Sequence, residues 1–148
     1  MEDECSVPVY RIALVRERNH EVASKRISQP EEAADLFRSY MADPDRELFA
    51  VMVLSAKNEV IGIHTVSIGT LDSTIVHPRE TFKPAVLLNA SSIIVAHNHP
   101  SGDPTPSFED REMTKRLVDA GEILGIPLLD HLVVTHDSFS SMKKLGVW

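Results

Sequence analysis

The stretch Ser92-Ile93-Ile94-Val95-Ala96 is nearly all apolar and β-favouring, and it runs without a break into His97-Asn98-His99. A strand of that kind has to be covered on both faces. Leu48–Leu54 makes the same demand. The chain therefore needs a sheet with at least two interior strands and helices to cover it, and the strand at 92–97 must deliver two imidazoles at its end.

Spacing then indicates what those imidazoles do. Residues i and i+2 of a strand point to the same side, so His97 and His99 can aim at one point. Pro100, Gly102, Pro104 and Pro106 exclude regular structure beyond them and leave a loop able to fold back. Ser107 is an N-cap residue type, and Asp110 lies three positions on, where a capping box carries its acid. Positions three apart share a helix face, so the Ser107 hydroxyl and the Asp110 carboxylate look the same way. His97, His99 and Asp110 thus make three ligands of a tetrahedral zinc with the fourth position open, the catalytic rather than the structural arrangement.

Other metal and nuclease signatures do not fit. His97-Asn98-His99 is contiguous, whereas the nuclease motif of those letters is dispersed. His20-Glu21 is followed by Ser24 where HExxH needs a second histidine, and no H-x-E with paired cysteines is present.

The pattern His97-x-His99-x7-Ser107-x-x-Asp110 resembles the JAMM signature of the JAB/MPN metallopeptidase fold. With Gly69-Thr70-Leu71, His77-Pro78-Arg79-Glu80 and Leu129-Asp130-His131-Leu132 around it, the wording is similar to the bacterial RadC family from about Glu31 onward. The resemblance implies an α/β fold, a mixed β-sheet flanked by helices in the MPN/JAMM (cytidine-deaminase-like) sandwich. It also implies a general base: a glutamate opening an early strand in that fold matches Glu47, just before Leu48–Leu54.

At 148 residues the chain is one domain, divided here into an N-terminal strand and loop extension, 1–26, and a RadC-like domain, 27–148. A net charge of −7 works against non-specific nucleic-acid binding, which draws on Lys and Arg. Cys5 is the single cysteine, which excludes an internal disulfide and a cysteine-rich zinc knuckle. The acidic start Met1-Glu2-Asp3-Glu4 is wrong for a secretory signal and no apolar run approaches ~20 residues, so the expectation is a cytoplasmic protein without a membrane span.

Along the chain, Val7–Arg16 alternates as a partly buried strand and Arg16–Lys25 reads as a charged loop. Ser28, Pro30 and Glu31 open a helix through Met41 whose buried stripe is Ala33, Leu36, Phe37, Tyr40 and Met41. Ala42–Asp45 breaks it. Val60–Ile68 returns as the hairpin partner of Leu48–Leu54, and its His64 reads as structurally buried or exposed in preference to a ligand, since nothing ligand-like sits at metal spacing beside it. His77, Arg79 and Glu80 form either a substrate-side polar cluster or plain helix-start chemistry, and Pro84 predicts a kink or restart before Asn89. A helix from Ser107 to Leu124 buries Met113, Leu117, Ala120 and Leu124 and ends at Gly125. Pro127–Thr135 is a strand in which Asp130 or His131 either orients a ligand imidazole or makes a structural hydrogen bond. His136-Asp137-Ser138 turns into a short final element, Phe139–Leu145.

The function this implies is hydrolysis of a peptide or isopeptide-like amide. One Zn2+ per chain would lower the pKa of its water from 15.7 to about 7. Glu47 would take the proton, and Ser107 would donate a hydrogen bond to the oxyanion. The partner is then a peptide or protein substrate, selected by the loops at Gly69–His77 and Asp103–Pro106. Iron or manganese also suits such ligands. Two other readings stand beside it. One is a DNA-repair-associated RadC-like protein acting by nucleic-acid or protein binding, for which the residues before Ser28 are too few to hold the family's helix-hairpin-helix segment. The other is a scaffold in which the metal only braces the fold.

Overall fold

The structure, a computed structural model, describes residues 5–42, 45–69 and 76–148. Among these, β1 (Leu48–Leu54), β2 (Val60–Ile68), β3 (Ser92–Asn98), β4 (Leu128–Val134) and β5 (Phe139–Ser141) form one sheet in the order β2-β1-β3-β4-β5. β1 is antiparallel to both β2 and β3, β3 is parallel to β4, and β4 is antiparallel to β5. The sheet is mixed, as expected. The helices are α1 (Pro30–Met41), α2 (Pro78–Leu87) and α3 (Phe108–Leu124). α3 makes the crossover that a parallel β3–β4 pair requires.

Alternation along the interior strands sorts the core into two layers. Ala50, Met52 and Leu54 of β1 with Ile94 and Ala96 of β3 pack on Ala33, Leu36 and Phe37 of α1. Phe49, Val51 and Val53 with Ile93 and Val95 pack on Phe82 of α2 and Met113 and Leu117 of α3. His97 continues the odd-numbered series of β3, so the pleat turns it toward the layer of α2 and α3. The register that buries Ile93 and Val95 is what aims this histidine.

Several local expectations are corrected. Residues 7–16 have no regular secondary structure, and Val7, Val9, Tyr10, Ile12 and Val15 are exposed rather than partly buried. Alternation specifies a strand only where a neighbour supplies the ladder, and the extension first pairs at Lys25–Ile27. There Val60 N–H donates to the Lys25 carbonyl and Ile27 N–H to the Asn58 carbonyl. The N-cap of α1 is Gln29, not Ser28, and Glu32 rather than Glu31 reaches back to Ser28 N–H. α2 runs through Pro84 without a restart; the proline forfeits one bond to the Glu80 carbonyl. In α3 Leu124 is exposed, and the buried face is Asp110, Met113, Thr114, Leu117 and Gly121. Gly121 is required there because a Cβ would stand 2.7 Å from the Ile126 carbonyl oxygen. Asp43, Pro44 and Thr70–Ile75, to which the first helix break and part of the Gly69–His77 loop were assigned, lie outside the described residues.

Candidate metal centre

The loop after β3 is built to return the chain. Gly102 has φ +92, in the left-handed region, its N–H donates to the His99 carbonyl, and Thr105 N–H donates to the Asp103 carboxylate at 2.9 Å. This brings Ser107 and Asp110 against the end of β3. Ser107 is the N-cap of α3 in a full capping box. Its Oγ accepts from Asp110 N–H at 3.0 Å, and Asp110 Oδ2 accepts from Ser107 N–H at 2.8 Å. Because the Ser107 oxygen receives that bond, its own proton stays available to donate.

Three side chains meet. His97 Nε2 lies 3.1 Å from His99 Nε2 and 3.4 Å from Asp110 Oδ1, and His99 Nε2 lies 3.3 Å from Asp110 Oδ2. Two donors at the usual zinc–nitrogen length from one tetrahedral ion stand about 3.3 Å apart. The donor set and its spacing therefore fit a divalent ion, and the three residues could hold one. His97 is fully buried, while His99 and Asp110 keep a little exposure, so one side remains open.

The electrostatics match this arrangement. Burial works to raise the Asp110 carboxyl, but His97 and His99 beside it, with Ser107 N–H, hold it well below the usual carboxylate range. The bond to Asp110 raises His99 above the ordinary imidazole value against the effect of burial, helped by the Asp103 carbonyl and the Glu47 charge. Metal uptake must then displace a proton that His99 holds more tightly than a free imidazole. Affinity for a divalent ion is expected to fall as pH drops through that raised value. Calorimetric titration in buffers of differing ionisation enthalpy should show proton release below it and less above; release that does not change with pH would refute the assignment of His99.

Glu47 stands where the β1–β3 register, Phe49 to His97, would place a residue opposite His99 if continued by two. It is half-buried and, with Asp45, Arg46, Gly69 and Pro100, lines an open cleft, and its charge acts on His99. Asn98, whose side chain is on the other face of β3, grips the backbone on both sides of it: Leu48 N–H donates to Asn98 Oδ1 at 2.6 Å, and Asn98 Nδ2 donates to the Arg46 carbonyl at 3.0 Å.

Behind the histidines lies a buried polar chain. His97 Nδ1 is 2.7 Å from His131 Nε2, and His131 Nδ1 is 2.6 Å from Thr114 Oγ1. Burial, reinforced by His97, pushes His131 well below its ordinary value and favours the neutral ring. Its neighbour Asp130 is occupied elsewhere, accepting from Ser141 Oγ, His131 N–H and Lys143 N–H. Of the two alternatives for this pair, His131 abuts the His97 imidazole and Asp130 makes structural hydrogen bonds. Thr114 and Asn98 were not singled out from the sequence. Thr114 had a signal, since it lies four residues after Asp110 on the same helix face; Asn98 had none beyond its place between the histidines.

Other candidates fall away from this centre. His64 is exposed on β2. His77 is the N-cap of α2, its Nδ1 accepting from Arg79 N–H at 3.1 Å, and Glu80 pairs with Lys83 at 2.9 Å. That is helix-start chemistry. No helix among the described residues is long and apolar enough to cross a membrane.

Residues 27–147 match the family model described as RadC-like JAB domain. Proteins named UPF0758 are similar over most of the chain. One from Desulforamulus reducens is 51% identical over 118 residues, covering 80% of this chain and 52% of its own. One from Rubrobacter xylanophilus is 52% identical over 121 residues, covering 82% and 53%. One from Symbiobacterium thermophilum is 49% identical over 121 residues, covering 82% and 52%. The chain spans about half the length of these curated relatives, and their name states no activity.

Proposed function

The chain belongs to the RadC-like JAB-domain family, and from that premise we propose that it is a metal-dependent hydrolase, with zinc as its ion, that cleaves a peptide or isopeptide-like amide bond. The observation that carries the reading is the convergence of His97, His99 and Asp110 at tetrahedral donor spacing, with the Glu47 charge close enough to act on His99. A bound zinc supplies Lewis acidity and makes water acidic enough to react near neutral pH.

The protein's own groups divide the remaining work. Glu47 accepts the proton of the attacking water and returns it to the leaving nitrogen. Ser107 donates its free hydroxyl proton to the carbonyl oxygen as negative charge builds there. Asn98 keeps Glu47 from moving by fixing the peptide groups on either side. The substrate is a peptide or protein segment lying in the cleft of Asp45, Arg46, Glu47, Gly69 and Pro100.

Zinc-loaded protein incubated with a pool of linear and lysine-branched peptides in heavy-oxygen water is expected to yield fragments whose new carboxyl group carries the label. Intact peptides with every divalent ion tried would refute the hydrolase reading.

A further inference from the structure

We propose that His131 and Thr114 are positioning residues that set His97 in the one tautomer able to bind a metal; the inference rests on the metal-centre reading above and extends it inward. The Asp110 backbone carbonyl can only accept, and it lies 2.7 Å from Thr114 Oγ1. The Met142 sulfur, 3.1 Å from the same hydroxyl, is a weak acceptor and the poorer competitor for its single proton. With that proton on the Asp110 carbonyl, Thr114 Oγ1 must accept from His131, which places the His131 proton on Nδ1. His131 Nε2 is then a lone pair and accepts from His97 Nδ1–H. His97 Nε2 is then the nitrogen left to face the other two donors, 3.1 Å from His99 Nε2.

Running the chain the other way has a definite consequence. A Thr114 proton given to His131 would put hydrogen on His131 Nε2 and then on His97 Nε2, where the ion has to sit. The chain therefore begins and ends on Asp110: its backbone carbonyl orders the hydroxyl, and its carboxylate joins the histidine that the hydroxyl orders. His99 is oriented by a shorter route, its Nδ1–H donating to the Asp103 carbonyl at 2.9 Å. Phe49 prevents the buried rings from turning out of line, stacked at 18° on His97 and edge-on at 83° to His131. A hydrogen-bond partner behind a ligating imidazole is worth roughly 10- to 100-fold in metal affinity.

The test uses the full chain and zinc, with affinity read by competition against a chromophoric chelator. Thr114→Val keeps the shape and removes the hydroxyl, and it is expected to weaken zinc binding roughly 10- to 100-fold, while Thr114→Ser restores it. Unchanged affinity in T114V, or T114S as weak as T114V, overturns the proposal. Should T114V fail to fold, imidazole nitrogen shifts in isotope-labelled, metal-free wild type decide the matter: His131 protonated on Nδ1 supports the chain of donors, and His131 protonated on Nε2 refutes it. Wild type that takes up no zinc would instead remove the metal-centre reading, and the tautomer measurement would still stand on its own.

Discussion

Glu47→Gln protein is expected to keep its full complement of zinc and to lose turnover by roughly a hundred- to ten-thousand-fold, the usual worth of a positioned general base. The amide matches the carboxylate in size and keeps any hydrogen bond to water, but it cannot take up a proton. Zinc retention follows because the donor group of His97, His99 and Asp110 is complete without Glu47. The backbone should also be undisturbed, since Gly69 N–H donates to the Glu47 carbonyl and Asn98 holds residues 46 and 48, none of which involves the side chain. Zinc content by elemental analysis and kcat on a cleaved peptide are the two readouts. If zinc is lost along with activity, Glu47 is a ligand and not the base; if kcat is unchanged, the proton goes elsewhere.

The parts of this centre differ in how visible they are in the sequence, and the difference is physical. His97, His99, Ser107 and Asp110 are tied by short-range rules, the two-residue period of a strand and the three-residue reach of a capping box, and the structure brings them together. β1 and α3 are similarly local, one from an unbroken apolar run, the other from Ser107 at its start and Gly125 at its end. What escapes is whatever depends on a partner far along the chain. Leu124 satisfies helical periodicity yet is exposed, and the segment Ile126–Leu128 that follows lies against Gly121 instead. Val7–Val15 alternates like a strand and pairs with nothing in the described residues. Asn98 spans 50 residues to reach Leu48, and His131, which the sequence offers as one of two residues able to orient an imidazole, spans 34 to reach His97. No local pattern decides such contacts, and they are the ones that hold Glu47 and His97 in place.

Removing either histidine should abolish zinc uptake, but the two variants should differ in stability. Zinc at a hundred times its dissociation constant stabilises the folded state by about 2.7 kcal/mol, and for a chain of this size each kcal/mol moves Tm by roughly 2–4 °C. Wild type is therefore expected to melt roughly 5–11 °C higher with zinc than with chelator, and His97→Ala and His99→Ala should show no such rise. The metal-free proteins then separate the two positions. His97→Ala empties a fully buried site under Phe49 and leaves His131 Nε2 without its hydrogen-bond partner. An unpaired buried group of that kind costs about 1–3 kcal/mol before any cavity term is added. His99 keeps a side-chain exposure of 15% and its outer nitrogen bonds only the Asp103 carbonyl on an exposed loop, so water can replace much of what H99A deletes. Metal-free H97A should thus melt several degrees below metal-free H99A by differential scanning calorimetry. Equal melting temperatures would mean that His97 is not anchored from behind, and a zinc-dependent rise surviving in either variant would mean that the ion is held by other residues.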